Sequence, residues 1–167
     1  RWDAVKTELA KIVAACKGKT VKVIIETCYL TKEEIVKICE LCVALKVRYI
    51  KTSTGYGTGG ATVEIVDLMQ NAIEKAPRDY DPALFPCQVK ASGGIDTYAQ
   101  AKALAENGAY LIGTSNAREI AETIVSDPEA VKVADIEEKT DEPAEELIVE
   151  VAAEEPAEEK KKKEKKA

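Results

Sequence analysis

The chain has 167 residues, enough for one ordinary domain with its own core. Hydrophobic residues make up 46% and aromatics only 5%, so that core is expected to be aliphatic and alanine-rich; no histidine is present, which excludes Ser-His-Asp and Cys-His nucleophilic chemistry. The net charge of −6 sits entirely in the last fifth: from Asp135 onward there are 13 acidic and 7 basic residues, while the preceding part holds 17 of each.

The chain opens on Arg1 rather than Met, so a longer natural start is expected. Apolar spacing from Asp3 to Cys16 (Val5, Leu9, Ile12, Val13, Cys16) predicts a helix closed by Lys17-Gly18. The β-branched run Val21 to Glu26 predicts a strand. Thr31, with Glu34 three residues later, forms a capping box for a helix running to about Lys46. Its Cys39-Glu40-Leu41-Cys42 has the CxxC spacing. However, these cysteines share one apolar face with Ile35, Ile38 and Leu45, in mid-helix and without a second ligand pair, so they are expected to be core. Five scattered cysteines (16, 28, 39, 42, 87) do not form a secreted disulfide pattern, and a reducing cytoplasm fits them better.

A second strand is expected over Val47 to Thr52. It runs straight into "TGYGTGG", after which Thr62 starts a helix that Pro77 ends. Gln88 to Ala91 is a third strand followed by Ser92-Gly93-Gly94, and a helix follows from about Thr97 to Glu106 with Asn107-Gly108 as its stop. Tyr110 to Ile112 is the fourth strand, and Gly113-Thr114-Ser115-Asn116 leads into a last helix near Ala117 to Val125. Strand–loop–helix thus recurs four times. This predicts an α/β fold with a parallel sheet, either an open doubly wound sheet or part of a (β/α)8 barrel. No stretch approaches the roughly 18 to 20 apolar residues of a membrane span. Residues 1–134 are expected to form the folded unit, and 135–167 a flexible acidic-then-basic tail ending "EEPAEEKKKKEKKA". The terminal lysines are read as solubilising, and the neutral remainder offers no basic patch for nucleic acid.

The chemistry gathers at one rim. The strands end in Glu26-Thr27, Lys51-Thr52, Lys90-Ala91 and Gly113-Thr114, and in parallel α/β folds active sites are built at that edge. Lys90 lies one strand from Lys51, and Lys22 one strand earlier. Crowded cations in a semi-buried site disfavour protonation of an amine, and a neutral amine is the nucleophile that Schiff-base chemistry with a carbonyl requires. Gly93, Gly94 and the segment Gly113 to Asn116 precede helices. Glycine lets backbone N–H groups approach an anion closely, and helix N-termini favour negative charge.

The segments "KVIIETCYLT", "IKTSTGYGTGGAT", "VKASGGI" and "IGTSNA", in this order, make residues 3 to 125 resemble the C-terminal half of deoxyribose-phosphate aldolase. The resemblance implies the last four β/α units of a (β/α)8 barrel. It also implies reversible cleavage of 2-deoxy-D-ribose 5-phosphate to acetaldehyde and D-glyceraldehyde 3-phosphate, without metal or other cofactor, in deoxyribonucleotide catabolism. Lys51 matches the Schiff-base lysine, Lys90 the lysine that perturbs it and assists proton transfer, and Lys22 a further active-site lysine. Gly93, Gly94, Gly113, Ser115 and Asn116 match phosphate-binding segments, with Asn116 standing where the family often has Ser. Thr54 and Gly55 shape the loop beside the nucleophile. The first half of the barrel, with an aspartate of the family's proton relay, is absent, and a charged extension replaces the usual C-terminal tail. The partners implied are a small phosphorylated sugar and either a second copy of the chain or the missing N-terminal half. The alternative reading is a non-catalytic half-barrel that binds sugar phosphates or serves as an assembly subunit.

Overall fold

The computed structural model describes residues 1–126; the acidic-then-basic tail expected over 135–167 lies outside them. The chain runs α1 (Trp2–Ala15), β1 (Lys22–Ile24), α2 (Lys32–Ala44), β2 (Tyr49–Lys51), α3 (Val63–Lys75), β3 (Gln88–Ser92), α4 (Tyr98–Glu106), β4 (Ala109–Gly113) and α5 (Ala117–Ser126). Among the described residues the strands form one parallel sheet in the order β1-β2-β3-β4. Each strand is therefore laid beside its predecessor, without the reversal of strand order that marks a doubly wound sheet. No helix among the described residues is long and apolar enough to cross a membrane.

Local sequence sets the helix starts. The Thr31 hydroxyl accepts from the Glu34 N–H and the Glu34 carboxylate accepts from the Thr31 N–H, completing the capping box on α2. Thr97 and Gln100 form the same device on α4, and Thr62 caps α3 through the Ile65 N–H. One boundary departs from expectation. The run Val21 to Glu26 keeps strand pairing only over Lys22–Ile24, because Glu26 turns into the left-handed region at φ +48° and starts a single 3-10 turn, Thr27–Tyr29.

The register separates the two faces of the sheet. Lys22, Tyr49 and Gln88 align, as do Ile24, Lys51 and Lys90, and side chains alternate along each strand. Lys22, Tyr49, Lys51, Gln88 and Lys90 therefore share one face, where Tyr110 stacks on Tyr49 at 6.3 Å. The opposite face carries Val23, Ile50, Val89 and Ala91. The last three are fully buried, in a core with Ile35, Val43, Val66 and Met69 from α2 and α3.

Cys39 and Cys42 are completely buried in that core, near Cys87 just before β3, so the CxxC spacing is a packing feature, as expected. Burial pushes the Cys39 and Cys87 thiols up to about 12 and Cys42 well above its ordinary value, the neighbouring thiols adding to it for Cys39 and Cys42. In the unfolded chain a thiol ionises near 9. Between about pH 9 and 12 the unfolded state therefore gives up protons that the folded state keeps. Stability is full below that window and falls as pH rises through it. Urea unfolding at pH 8 and pH 10 measures the fall, and Cys39→Ala, which leaves Cys42 and Cys87 in place, should make it shallower. A parallel decline in that variant would show that other groups cause it.

Candidate active site

The C-terminal rim of β2, β3 and β4 surrounds a cavity of about 350 Å³ lined by Lys51, Thr54, Gly55, Lys90, Ser92, Gly93, Gly94, Asp96, Gly113 and Ser115, among others. Lys51 and Lys90 are register partners on neighbouring strands, whose backbones run about 4.8 Å apart, and both reach the same cavity. The close placement of these two lysines, expected from their strand-end positions, is present in the fold.

The hydroxyls that follow Lys51 are what hold it there. Thr52 and Ser53 are fully buried and Ser92 nearly so. The Thr52 hydroxyl donates to the Ser92 carbonyl at 3.0 Å and accepts from the Ser92 N–H at 3.0 Å. The Ser92 hydroxyl in turn donates to the Ser53 carbonyl at 2.6 Å. These bonds extend the β2–β3 ladder past the last strand residues with every buried hydroxyl partnered, and such satisfied networks are rigid. Lys51 is thus mounted just below a stitched seam.

The two glycine-rich loops meet across the cavity wall. Gly93 and Gly94 adopt φ of +88° and +68°, and the Gly93 carbonyl accepts the Ala61 N–H at 3.0 Å, tying the loop after β3 to the one after β2. Gly60 lies directly against Gly93, where a β-carbon would fall 2.1 Å from the Gly93 oxygen. On the other side the Thr114 hydroxyl donates to the Ile95 carbonyl at 2.5 Å and accepts from the Asn116 N–H at 2.9 Å. Gly113 leaves room for Lys90: a β-carbon there would stand 3.2 Å from the lysine's Cε.

Of the residues singled out in the sequence, Lys51, Lys90, Thr54, Gly55, Gly93, Gly94, Gly113 and Ser115 line this cavity. Lys22 and Asn116 do not. Lys22 sits on the same sheet face but two residues further from the rim, roughly 6.6 Å along the strand, with Nζ 5.8 Å from the centre of the Tyr49 ring. The Asn116 amide points sideways and donates to the Asp96 carboxylate at 3.0 Å. Three contributors were not singled out in advance: Ser92, Asp96 and Glu26. Glu26 lies outside the lining, but its carboxylate accepts the Thr54 N–H at 3.1 and 3.2 Å and also the Thr54 hydroxyl. Its only sequence signal was its place at the end of a strand. Among the described residues no group of three or more His, Cys, Asp or Glu is arranged to hold a metal ion.

No family model matches the chain. Curated proteins do. Deoxyribose-phosphate aldolase of Carboxydothermus hydrogenoformans is 47% identical over 131 residues, which is 75% of this chain and 53% of that protein. The deoxyribose-phosphate aldolase of Clostridium botulinum is 50% identical over 113 residues, 68% of this chain and 49% of that protein. Among solved structures, one described as QR15, an aldolase, superposes with a TM-score of 0.64 at 38% identity, covering 75% of this chain and 52% of that one. A putative deoxyribose-phosphate aldolase from Coccidioides immitis gives a TM-score of 0.65 at 34% identity, covering 74% and 46% respectively. The chain spans about half the length of the curated relatives it matches. With the lysine pair and glycine loops assembled at one rim, and with these identities over most of its length, the chain belongs to the deoxyribose-phosphate aldolase family.

Proposed function

We propose that this chain is the C-terminal half of a (β/α)8-barrel class I aldolase that reversibly cleaves 2-deoxy-D-ribose 5-phosphate to acetaldehyde and D-glyceraldehyde 3-phosphate. The observation that carries the reading is the pairing of Lys51 with Lys90 in one cavity walled by the glycine loops. A sequentially ordered parallel sheet with its apolar face buried under helices supports the barrel. Its other face, lined by Lys22, Tyr49, Gln88 and Tyr110, would then point to the barrel interior.

In this mechanism the Lys51 amine adds to the C1 carbonyl of the open-chain sugar and expels water, forming an iminium. A base takes the C3 hydroxyl proton, the C2–C3 bond breaks, and its electron pair moves onto C2 as the enamine. D-glyceraldehyde 3-phosphate leaves as the new aldehyde. Protonation at C2 and hydrolysis then release acetaldehyde and restore the lysine. Lys90, beside Lys51 in the cavity, is the nearest candidate for proton transfer, with Lys22 a layer below as a further contributor. The sugar phosphate would sit against Gly93, Gly94, Gly113 and Ser115, with Asn116 holding the loop edge through Asp96. The protein is expected to act in the cytoplasm, completed either by a second copy of the chain or by the N-terminal half of the barrel; one relative, from Aeropyrum pernix, is described as a tetramer.

Borohydride reduction in the presence of deoxyribose 5-phosphate tests the reading in the full-length protein. An ethyl group left on Lys51 Nζ is the expected product. Phosphate binding with no adduct and no cleavage would instead support the non-catalytic reading. A second expectation concerns Asp96, an exposed carboxylate on the wall where the phosphate would lie. Because it repels an anion through a screened field, Asp96→Asn should lower KM for the phosphorylated sugar roughly two- to fivefold. An unchanged KM would move the phosphate away from this wall.

A further inference from the structure

The loop that follows Lys51 is held from behind. Glu26 occupies a left-handed backbone conformation at φ +48° and ψ +65°, which is unfavourable for any residue with a β-carbon. A conformation of that kind persists where surrounding contacts enforce it. Here they are specific. The Ile25 N–H donates to the Lys51 carbonyl at 3.0 Å and the Thr27 N–H to the Thr52 carbonyl at 2.9 Å, so the backbone on either side of Glu26 is bonded to β2. The carboxylate takes both the N–H and the hydroxyl of Thr54, and the same hydroxyl accepts the Tyr56 N–H at 3.2 Å. Beyond it the loop lies flat on this segment: a β-carbon at Gly57 would come within 2.8 Å of Cys28 Sγ and 3.0 Å of Glu26 Oε1. Thr54 and Gly55 themselves line the cavity beside Lys51, while Glu26 does not.

We propose that Glu26 is a positioning residue, whose carboxylate clamps the loop 54–60 against the cavity and so fixes the wall that the substrate meets next to Lys51. The reaction part of this inference rests on the aldolase reading above; the clamp itself does not. Two hydrogen bonds converging on one carboxylate are among the stronger interactions available at a half-buried site, and removing their acceptor leaves the Thr54 N–H unpartnered. Glutamine keeps one acceptor oxygen and nearly the same shape, so it should preserve much of the clamp.

The test uses Glu26→Ala, Glu26→Gln, Thr54→Val and the double variant Glu26→Ala/Thr54→Val in the full-length protein. Amide exchange of residues 54–60 and chymotrypsin cleavage after Tyr56, which is 95% exposed, report loop opening without any need for turnover. Glu26→Ala should speed both by roughly 10- to 100-fold while exchange in the core strands stays unchanged, with Glu26→Gln intermediate. In the aldolase assay KM should rise about tenfold and the borohydride adduct on Lys51 should still form at saturating substrate. The double variant should be no worse than the worse single one, because both remove one shared interaction. Unchanged exchange and cleavage in Glu26→Ala, or fully additive effects in the double variant, would overturn the clamp. A parent protein that forms no adduct would sink the aldolase reading alone, leaving the clamp to be judged on exchange and proteolysis.

Discussion

Lys51→Ala is expected to abolish the borohydride-dependent adduct and to lower aldol cleavage by about ten-thousand-fold or more, since it removes the amine that forms the covalent intermediate in this reading. Lys51→Arg sharpens the test. It preserves the positive charge and much of the stem, but a guanidinium stays protonated at any working pH and cannot become the imine nitrogen, so it should be as inactive as alanine. Folding should survive both changes, because Lys51 is half-buried at the rim of the sheet and its backbone bonds to β1 and β3 do not depend on the side chain. Lys90→Met removes the partner amine while keeping the bulk that fits beside Gly113, and should slow turnover roughly 10²- to 10⁴-fold, the range of a lost acid–base group. Lys22→Met, outside the cavity lining, should cost less than Lys90→Met. Product analysis by mass spectrometry and coupled turnover assays read all four variants. Retention of the adduct in Lys51→Arg would show that another amine is the nucleophile.

Gly60→Ala should be the most damaging single methyl group in the described residues around this site. The added carbon would fall 2.1 Å from the Gly93 oxygen and 2.5 Å from its carbonyl carbon. Both are backbone atoms, so no side chain can rotate away, and the two loops must separate by more than about 1 Å to reach ordinary contact. That separation also breaks the bond from the Ala61 N–H to the Gly93 carbonyl. Overpacking and one lost hydrogen bond together predict a loss of roughly 2 to 4 kcal/mol in urea unfolding. Because the displaced loops carry Thr54, Gly55, Gly93 and Gly94, turnover should fall by about a further hundredfold in the protein that remains folded, as expected for a misplacement near 1 Å. Gly18→Ala serves as the comparison. Gly18 has φ +82° but no atom within 4 Å of an added carbon, so it reports the cost of left-handed backbone alone, about 1 to 2 kcal/mol. Equal effects at the two positions would mean that the Gly60–Gly93 approach is not what joins the loops.

Short-range physics made much of this protein legible from its residues. Short apolar runs ahead of glycine or threonine turns marked the four strands, Thr31 with Glu34 marked the start of α2, and the apolar face of α2 identified Cys39 and Cys42 as core. Lysines and glycines at strand ends pointed to the rim where Lys51 and Lys90 share a cavity, because side-chain alternation and strand direction follow from the backbone alone. What could not be read there depends on residues far apart in sequence. Thr52 meets Ser92 across 40 residues, Glu26 meets Thr54 across 28, and Thr114 meets Ile95 across 19. A hydroxyl or carboxylate has the same local preferences wherever it lies, so its partner is decided only when the sheet register brings two loops together. The order of the strands belongs to the same class: helical crossovers permit either a sequential or a reversed sheet, and the choice is made by which apolar faces bury each other. Local pattern thus determined the elements and the residue types at their ends. Packing across the sheet decided which of those residues share a cavity, and left Lys22 and Asn116 outside its walls.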